Sequence, residues 1–327
     1  MNYNKIAFQV TCIFICLLFL PLTTCTTSTA GVPRPPQQPT EGPGGSNYTH
    51  NSVTVAWYGY GARRYWLFQP DDPQPTSAPV IIFNHGWSAI PPFFYQAWIN
   101  HIVRRGNIVI YPQYQLGLVI GSRRFYDNAV DAVLNAKQEL ENPGHVTADW
   151  EKLAIVGHSL GGGISMYMAS IFPSIGLPAP KAIMPVQPAV STSSWRLINY
   201  SSIDNKTLLI VLVGEDDTVV GNYSGIFIFN ETSQIPLENK EYIIQRSDTY
   251  GSPSLLADHM APLATTIGVF TNAMDYYSTW KLFDALTDYA FFGTNKEYAF
   301  GNTSQQRSMG QWSDGTPVAE LVVTKQP

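Results

Sequence analysis

From residue 80 onward, short continuous apolar runs alternate with segments whose apolar residues recur at helical spacing. Parallel strands buried on both faces produce such runs, and the helices that cover them produce the intervening spacing. Strands are expected at 80–83, 108–111, 153–156, 182–186, 208–213 and 242–245, with helices at 94–105, 126–140 and 269–289. Upstream, 52–58 and 64–68 flank 59–63 and read as an antiparallel edge hairpin. Near the end, 311–316 reads as a turn before a last apolar stretch at 318–323. The expected fold is α/β, a mostly parallel central sheet with helices on both faces, in one domain over 52–327 without internal repeats. About twenty residues, 187–206, separate two of the central strands. That is too little chain for a large cap domain, so the sheet edge above it is expected to be open.

One strand-to-helix junction carries chemistry. Gly157-His158-Ser159-Leu160-Gly161 follows the run 153–156 and opens a stretch of small residues, Gly161-Gly162-Gly163-Ile164-Ser165. A serine on such a turn stands clear of the sheet, and the glycines occupy places where side chains would collide. A hydroxyl becomes a strong nucleophile only when a base takes its proton. The junction therefore demands partners further along, in the order serine, acid, histidine. Of six histidines, only His259 lies beyond Ser159, in the loop-like stretch Ala257-Asp258-His259-Met260-Ala261-Pro262. The acid is expected after the run 207–213, which ends in Gly214-Glu215-Asp216-Asp217. A carboxylate there would hold the imidazole's tautomer and stabilise the imidazolium. The register Gly-x-x-Asp-x-x-Val selects Asp217, with Asp216 as the alternative.

A further requirement is a pair of N–H groups aimed where negative charge develops. Asn84-His85-Gly86-Trp87 directly follows the run 80–83. It resembles the His-Gly motif after the third strand of α/β-hydrolases. With the serine elbow and the Gly-Glu-Asp-Asp-Thr loop, the chain over roughly residues 52–292 is similar to serine esterases of that superfamily, most of all the secreted lipase, cutinase and dienelactone-hydrolase-like group. The resemblance implies backbone oxyanion donors at Trp87 and Leu160, and a bracing task for His85. Ser159 argues against dienelactone-hydrolase, dehalogenase and epoxide-hydrolase chemistry, which use cysteine or aspartate at the elbow. Leu160 and the Gln187-Pro188-Ala189 stretch depart from the polyester-cleaving cutinases, which carry methionine and tryptophan there. Trp87, Phe93, Phe94, Tyr95, Tyr114 and Trp195 come from loops that reach the expected mouth, and are read as substrate-lining.

The ends change the picture of where the protein works. Residues 6–22 are almost wholly apolar after a single Lys5, so 1–30 reads as a signal segment. Leu22-Thr23-Thr24-Cys25 approximates a lipoprotein box, and Ser28-Thr29-Ala30 offers an ordinary cleavage site. The protein is therefore expected to be secreted, or attached to the outer face of the membrane through its N-terminus. Residues 31–51, rich in proline and glycine, read as a disordered tether. All three cysteines, Cys12, Cys16 and Cys25, fall in the signal segment, so the domain must be stabilised by its core. A 45% hydrophobic and 13% aromatic composition suffices for that. Six glycosylation sequons begin at Asn47, Asn199, Asn205, Asn222, Asn230 and Asn302. The net charge of −5 and the isolated arginine pairs give no nucleic-acid footprint. No metal-ligand spacing or dinucleotide fingerprint appears, so neither metal nor other cofactor is expected. The reading is an exported, monomeric carboxylic-ester hydrolase acting on a small-molecule, lipid or polymer ester. A serine peptidase on the same fold and a non-catalytic surface binding protein are the alternatives.

Overall fold

The computed structural model describes residues 31–117, 124–190, 197–266 and 269–327. The expected signal segment, with Cys25, lies outside them. Strands β1 (Ser52–Tyr58) and β2 (Tyr65–Asp71) form the edge hairpin around a 3-10 turn at Gly61–Arg63. Six parallel strands follow: β3 (Ser77–Asn84), β4 (Ile108–Pro112), β5 (Thr147–His158), β6 (Ala182–Val186), β7 (Leu208–Gly214) and β8 (Lys240–Gln245). A short antiparallel pair, β9 (Thr265–Thr266) and β10 (Val269–Phe270), stands apart, and β11 (Val322–Thr324) adds antiparallel to β8. Among the described residues the main sheet has nine strands in the order β1-β2-β4-β3-β5-β6-β7-β8-β11. The principal helices are α1 (Gln96–Arg104), α2 (Arg124–Glu139), α3 (Leu160–Ile171), α4 (Tyr223–Glu231) and α5 (Trp280–Phe292).

The unbroken apolar runs are explained by what each strand face meets. Val80, Ile82, Ile108, Ile110, Leu153 and Ile155 join the core made with α2, α3 and α4. Their alternating neighbours Ile81, Phe83, Val109, Tyr111, Ala154 and Val156 join the core made with α1 and α5. Neither face keeps water, so neither needs a polar residue. Each fully buried valine, leucine or isoleucine contributes about 1.5–3 kcal/mol of burial free energy. Among the described residues no helix is long and apolar enough to cross a membrane.

Three elements differ from expectation. The stretch 269–289 is not one helix: β10 occupies its start, Asp275–Thr279 is a π-type turn, and only then does α5 begin. Asn272 is the cause, since its side chain accepts from Met274 N–H while its own N–H donates to Asp275 Oδ2, a local turn that competes with helix. The stretch 318–323 pairs only at its end, because Ala319 N–H is taken by Asp248 Oδ2 and Leu321 N–H by the Arg307 carbonyl.

The third difference concerns the expected tether. From Pro33 the chain packs on the domain as a strap, so the compact unit runs over Pro33–Pro327 and does not begin at residue 52. The carbonyls of Pro33 and Arg34 accept from Ser252 and Ser313 N–H at 2.8 and 2.9 Å, and Gly44 N–H donates to Asp284 Oδ2 at 2.7 Å. Prolines discourage helix and central strand but still offer carbonyls and apolar rings for docking. Gly44 sits at φ +79°, and a Cβ there would lie 2.0 Å from the Tyr276 carbonyl oxygen, so its role is close approach, not flexibility.

Candidate active site

β5 ends at His158, and Ser159 follows at φ 55°, ψ −123°. A non-glycine residue held in such a region costs on the order of 1–3 kcal/mol, which the surroundings must offset. Ser159 N–H donates to the Val186 carbonyl at 2.9 Å, and the Ser159 carbonyl accepts from Gly162 and Ala189 at 2.9 and 2.8 Å. The turn is as tight as glycine allows. A Cβ at Gly157 would stand 2.2 Å from the Gly161 carbonyl oxygen, and one at Gly161 would stand 2.1 Å from that of Asn84.

His259, in the loop after β8, lies with Nε2 3.0 Å from Ser159 Oγ and Nδ1 2.8 Å from Asp217 Oδ2. An ionised carboxylate only accepts, so Nδ1 carries the proton and Nε2 is left to accept from the serine hydroxyl. Asp217 follows β7, and its Oδ1 accepts from the N–H groups of Val219 and Val220, both at 3.0 Å. Burial pushes this carboxyl up, but the hydrogen bonds from His259, Val220 and Val219 outweigh it and hold it below the usual carboxylate range. Glu215 and Asp216 are exposed and diverge, Glu215 towards Arg246 at 3.7 Å. The structure thus brings Asp217, and not Asp216, to His259.

Ser159 and His259 open on a cavity of about 210 Å³ whose walls include Trp87, Ala89, Phe94, Met260 and Leu263. One wall is the turn after β3. His85 braces it from below, fully buried and stacked between Tyr114 at 4.0 Å and Tyr111 at 5.3 Å. Burial pulls the His85 pKa down to about 4, so the brace is neutral.

Of the residues expected to line the mouth, Trp87, Phe94 and Tyr95 do so. Phe93 points to solvent and packs on Phe94 at 4.1 Å without reaching the cavity. Tyr114 turns inward, fully buried under α2, and its hydroxyl donates to the His85 carbonyl. An aromatic residue in a loop carries no periodicity that would reveal this inward turn. Trp195 lies outside the described residues. Met260 and Leu263, just past His259, went unread because single apolar residues in a loop give no pattern. Leu160 is the first residue of α3, beside Ser159.

Sheet order, crossovers and the place of Ser159 at the end of the fifth strand are those of the α/β-hydrolase fold. Within that class, a family model described as chlorophyllase matches residues 64–195. The chain is also 32% identical over 131 residues to chlorophyllase-1 of Arabidopsis thaliana, a match covering 37% of this chain and 39% of that protein. The chain therefore spans well under half the length of the curated relative it matches. The family match contains His85, Trp87 and Ser159 and stops before Asp217 and His259.

Proposed function

We propose that this protein is a carboxylic-ester hydrolase working through an acyl-enzyme on Ser159. The observation that carries the reading is the hydrogen-bonded run Ser159 Oγ, His259, Asp217 at the floor of an open, largely apolar cavity. The similarity to chlorophyllase across the segment that holds Ser159 supports an ester as the bond attacked. In this reading His259 Nε2 takes the hydroxyl proton as Ser159 Oγ bonds to the ester carbonyl carbon. The carbonyl oxygen becomes an oxyanion facing the backbone N–H groups of Trp87 and Leu160, the latter at the N-terminus of α3, where the helix dipole also favours negative charge. Collapse expels the alcohol, which takes the proton from His259. A water deprotonated by the same imidazole then attacks the acyl carbon, releasing the acid and restoring Ser159. Asp217 remains ionised and keeps the imidazolium oriented throughout.

The test is labelling by a fluorophosphonate, expected on Ser159 and absent in Ser159→Ala, followed by turnover of short-acyl nitrophenyl esters. A wild-type protein that neither labels nor turns over is a binding protein that has kept the fold. Only 187–207 separates β6 from β7, which supports an uncapped site. The rate should then rise smoothly through the substrate's solubility limit, and a sharp jump there would reveal a lid. The apolar run 6–22 supports export, with a mature chain starting at Cys25 or Gly31. Mass determination of the natural N-terminus decides this, and an intact Met1 on a cytoplasmic protein would overturn it.

A further inference from the structure

The residue before the nucleophile is a buried histidine that the acyl-transfer steps leave unused. His158 Nδ1 lies 2.8 Å from Tyr95 Oη, and Tyr95 Oη lies 3.0 Å from Gly86 N. An amide N–H can only donate, so the hydroxyl accepts there and gives its own proton to Nδ1. The His158 proton is thereby assigned to Nε2, which sits among the Gln187 side chain and the His259 backbone without closing a full hydrogen bond to either. Gln187 Nε2 in turn donates to the Asp258 carbonyl at 2.7 Å, one residue before His259. The His158 and His259 rings face each other with centroids 4.7 Å apart and a 41° tilt.

The same ring also touches the opposite wall. A Cβ at Gly86 would lie 3.1 Å from both His158 Nδ1 and Tyr95 Oη, and 3.4 Å from Ser159 Cβ, so turn, ring and nucleophile are in direct contact. Burial, and next the neighbouring His259, pull the His158 pKa down to about 3, which keeps the ring neutral. Neutrality matters, because a second cation at this separation would oppose formation of the His259 imidazolium.

We infer that Tyr95 and His158 are positioning residues that register the oxyanion turn and the His259 base to one another through a single buried ring. Tyr95 holds the Gly86 amide and so sets the direction of the Trp87 N–H one residue on. His158 backs the His259 imidazole and, through Gln187, the loop that carries it. The inference rests on Ser159 acting as the nucleophile.

Tyr95→Phe and His158→Phe remove the hydrogen bond while keeping an aromatic ring, whereas His158→Asn keeps an acceptor near the place of Nδ1. Live sites are counted by titration with diethyl p-nitrophenyl phosphate, and kcat and KM are measured on p-nitrophenyl butyrate. The expected result is a fall in kcat per live site of about 10- to 100-fold in both phenylalanine variants, with KM within about twofold of wild type. His158→Asn should recover part of the loss. The double variant should be little worse than either single one, because both break the same link. Affinity for a trifluoromethyl ketone, whose serine adduct carries an oxyanion, should fall in parallel with kcat. If kcat per live site stays at the wild-type value and only the melting temperature drops, the pair is mere packing and the inference is overturned. If wild-type Ser159 never reacts with the phosphate ester, the hydrolase reading fails, and this inference with it.

Discussion

Two buried histidine–aspartate pairs in this chain share a 2.8 Å contact and differ in everything around it. His259 holds Asp217 with one ring nitrogen and meets the Ser159 hydroxyl, on a strained turn at the floor of a cavity, with the other. His101 holds Asp284 with Nε2 and meets the Tyr48 hydroxyl at 3.1 Å with Nδ1, while its ring stacks on Trp280 at 4.4 Å. Asp284 is further met by Arg105 Nε at 3.2 Å and Gly44 N–H at 2.7 Å. Burial pushes its carboxyl up, but Arg105 and then His101 outweigh that and hold it below the usual range. The second pair is buried beneath the strap, and it ties Gly44 and Tyr48 to α1 and α5. The pair itself therefore does not distinguish the two places. The third group and its access from a cavity do.

The largest expected effect separates the two pairs outright. Ser159→Ala should lower kcat by roughly 10⁴- to 10⁶-fold and Asp217→Asn by roughly 10⁴-fold. Glu215→Gln, Asp216→Asn and Asp284→Asn should turn over nitrophenyl esters near the wild-type rate once folded. An inactive Asp216→Asn beside an active Asp217→Asn would break the assignment. Next, Asp284→Ala should cost about 2–4 kcal/mol in urea unfolding, because it leaves the buried His101 Nε2 and Gly44 N–H without their acceptor, while Arg105 keeps Asp288. Cleavage within 33–50 by added protease should rise with it, and a stability loss under 1 kcal/mol would mean that the strap is held elsewhere.

Acid should sharpen the comparison. His85 and His158 titrate near 4 and 3 when folded but near 6.5 when unfolded, so the unfolded chain binds their protons first and stability falls as pH drops from about 6.5 towards 4. Asp217 and Asp284 are depressed instead, so their contribution is present above the unfolded value near 3.9 and lost as pH falls through their folded values. Melting temperature followed against pH should show both losses, and Asp284→Asn should remove part of the second while leaving the first. The smallest effect is Tyr48→Phe, expected to cost about 1–2 kcal/mol for the two hydrogen bonds to Gln38 and His101, with no change in kcat. A drop in kcat there would couple the strap to the active site.

What was legible in the chain follows from how local each cause is. The run 182–186 and β6 coincide because a strand buried on both faces must be apolar at every position. Ser159 was legible because the steric limit at Gly157 is set by Gly161 a few residues on, although the limit at Gly161 is set by the remote Asn84 carbonyl. The position of Asp217 could be narrowed but not closed against Asp216, since both follow the same strand end and one peptide bond decides which faces inward. His158 reads locally as part of the elbow, and its hydrogen bond to Tyr95 and ring contact with His259 join segments far apart in sequence.

By itself the sequence determined the layered sheet, the serine turn, and the loops that bear Asp217 and His259, because unbroken apolar runs and the small residues around Ser159 are contiguous patterns along the chain. Only the tertiary structure decided that the proline-rich segment docks, that Tyr114 turns inward, and which of two histidine–aspartate pairs stands beside a cavity. Each of those outcomes depends on partners remote along the chain, as Gly44 depends on Asp284, and no local pattern of residues encodes such a meeting.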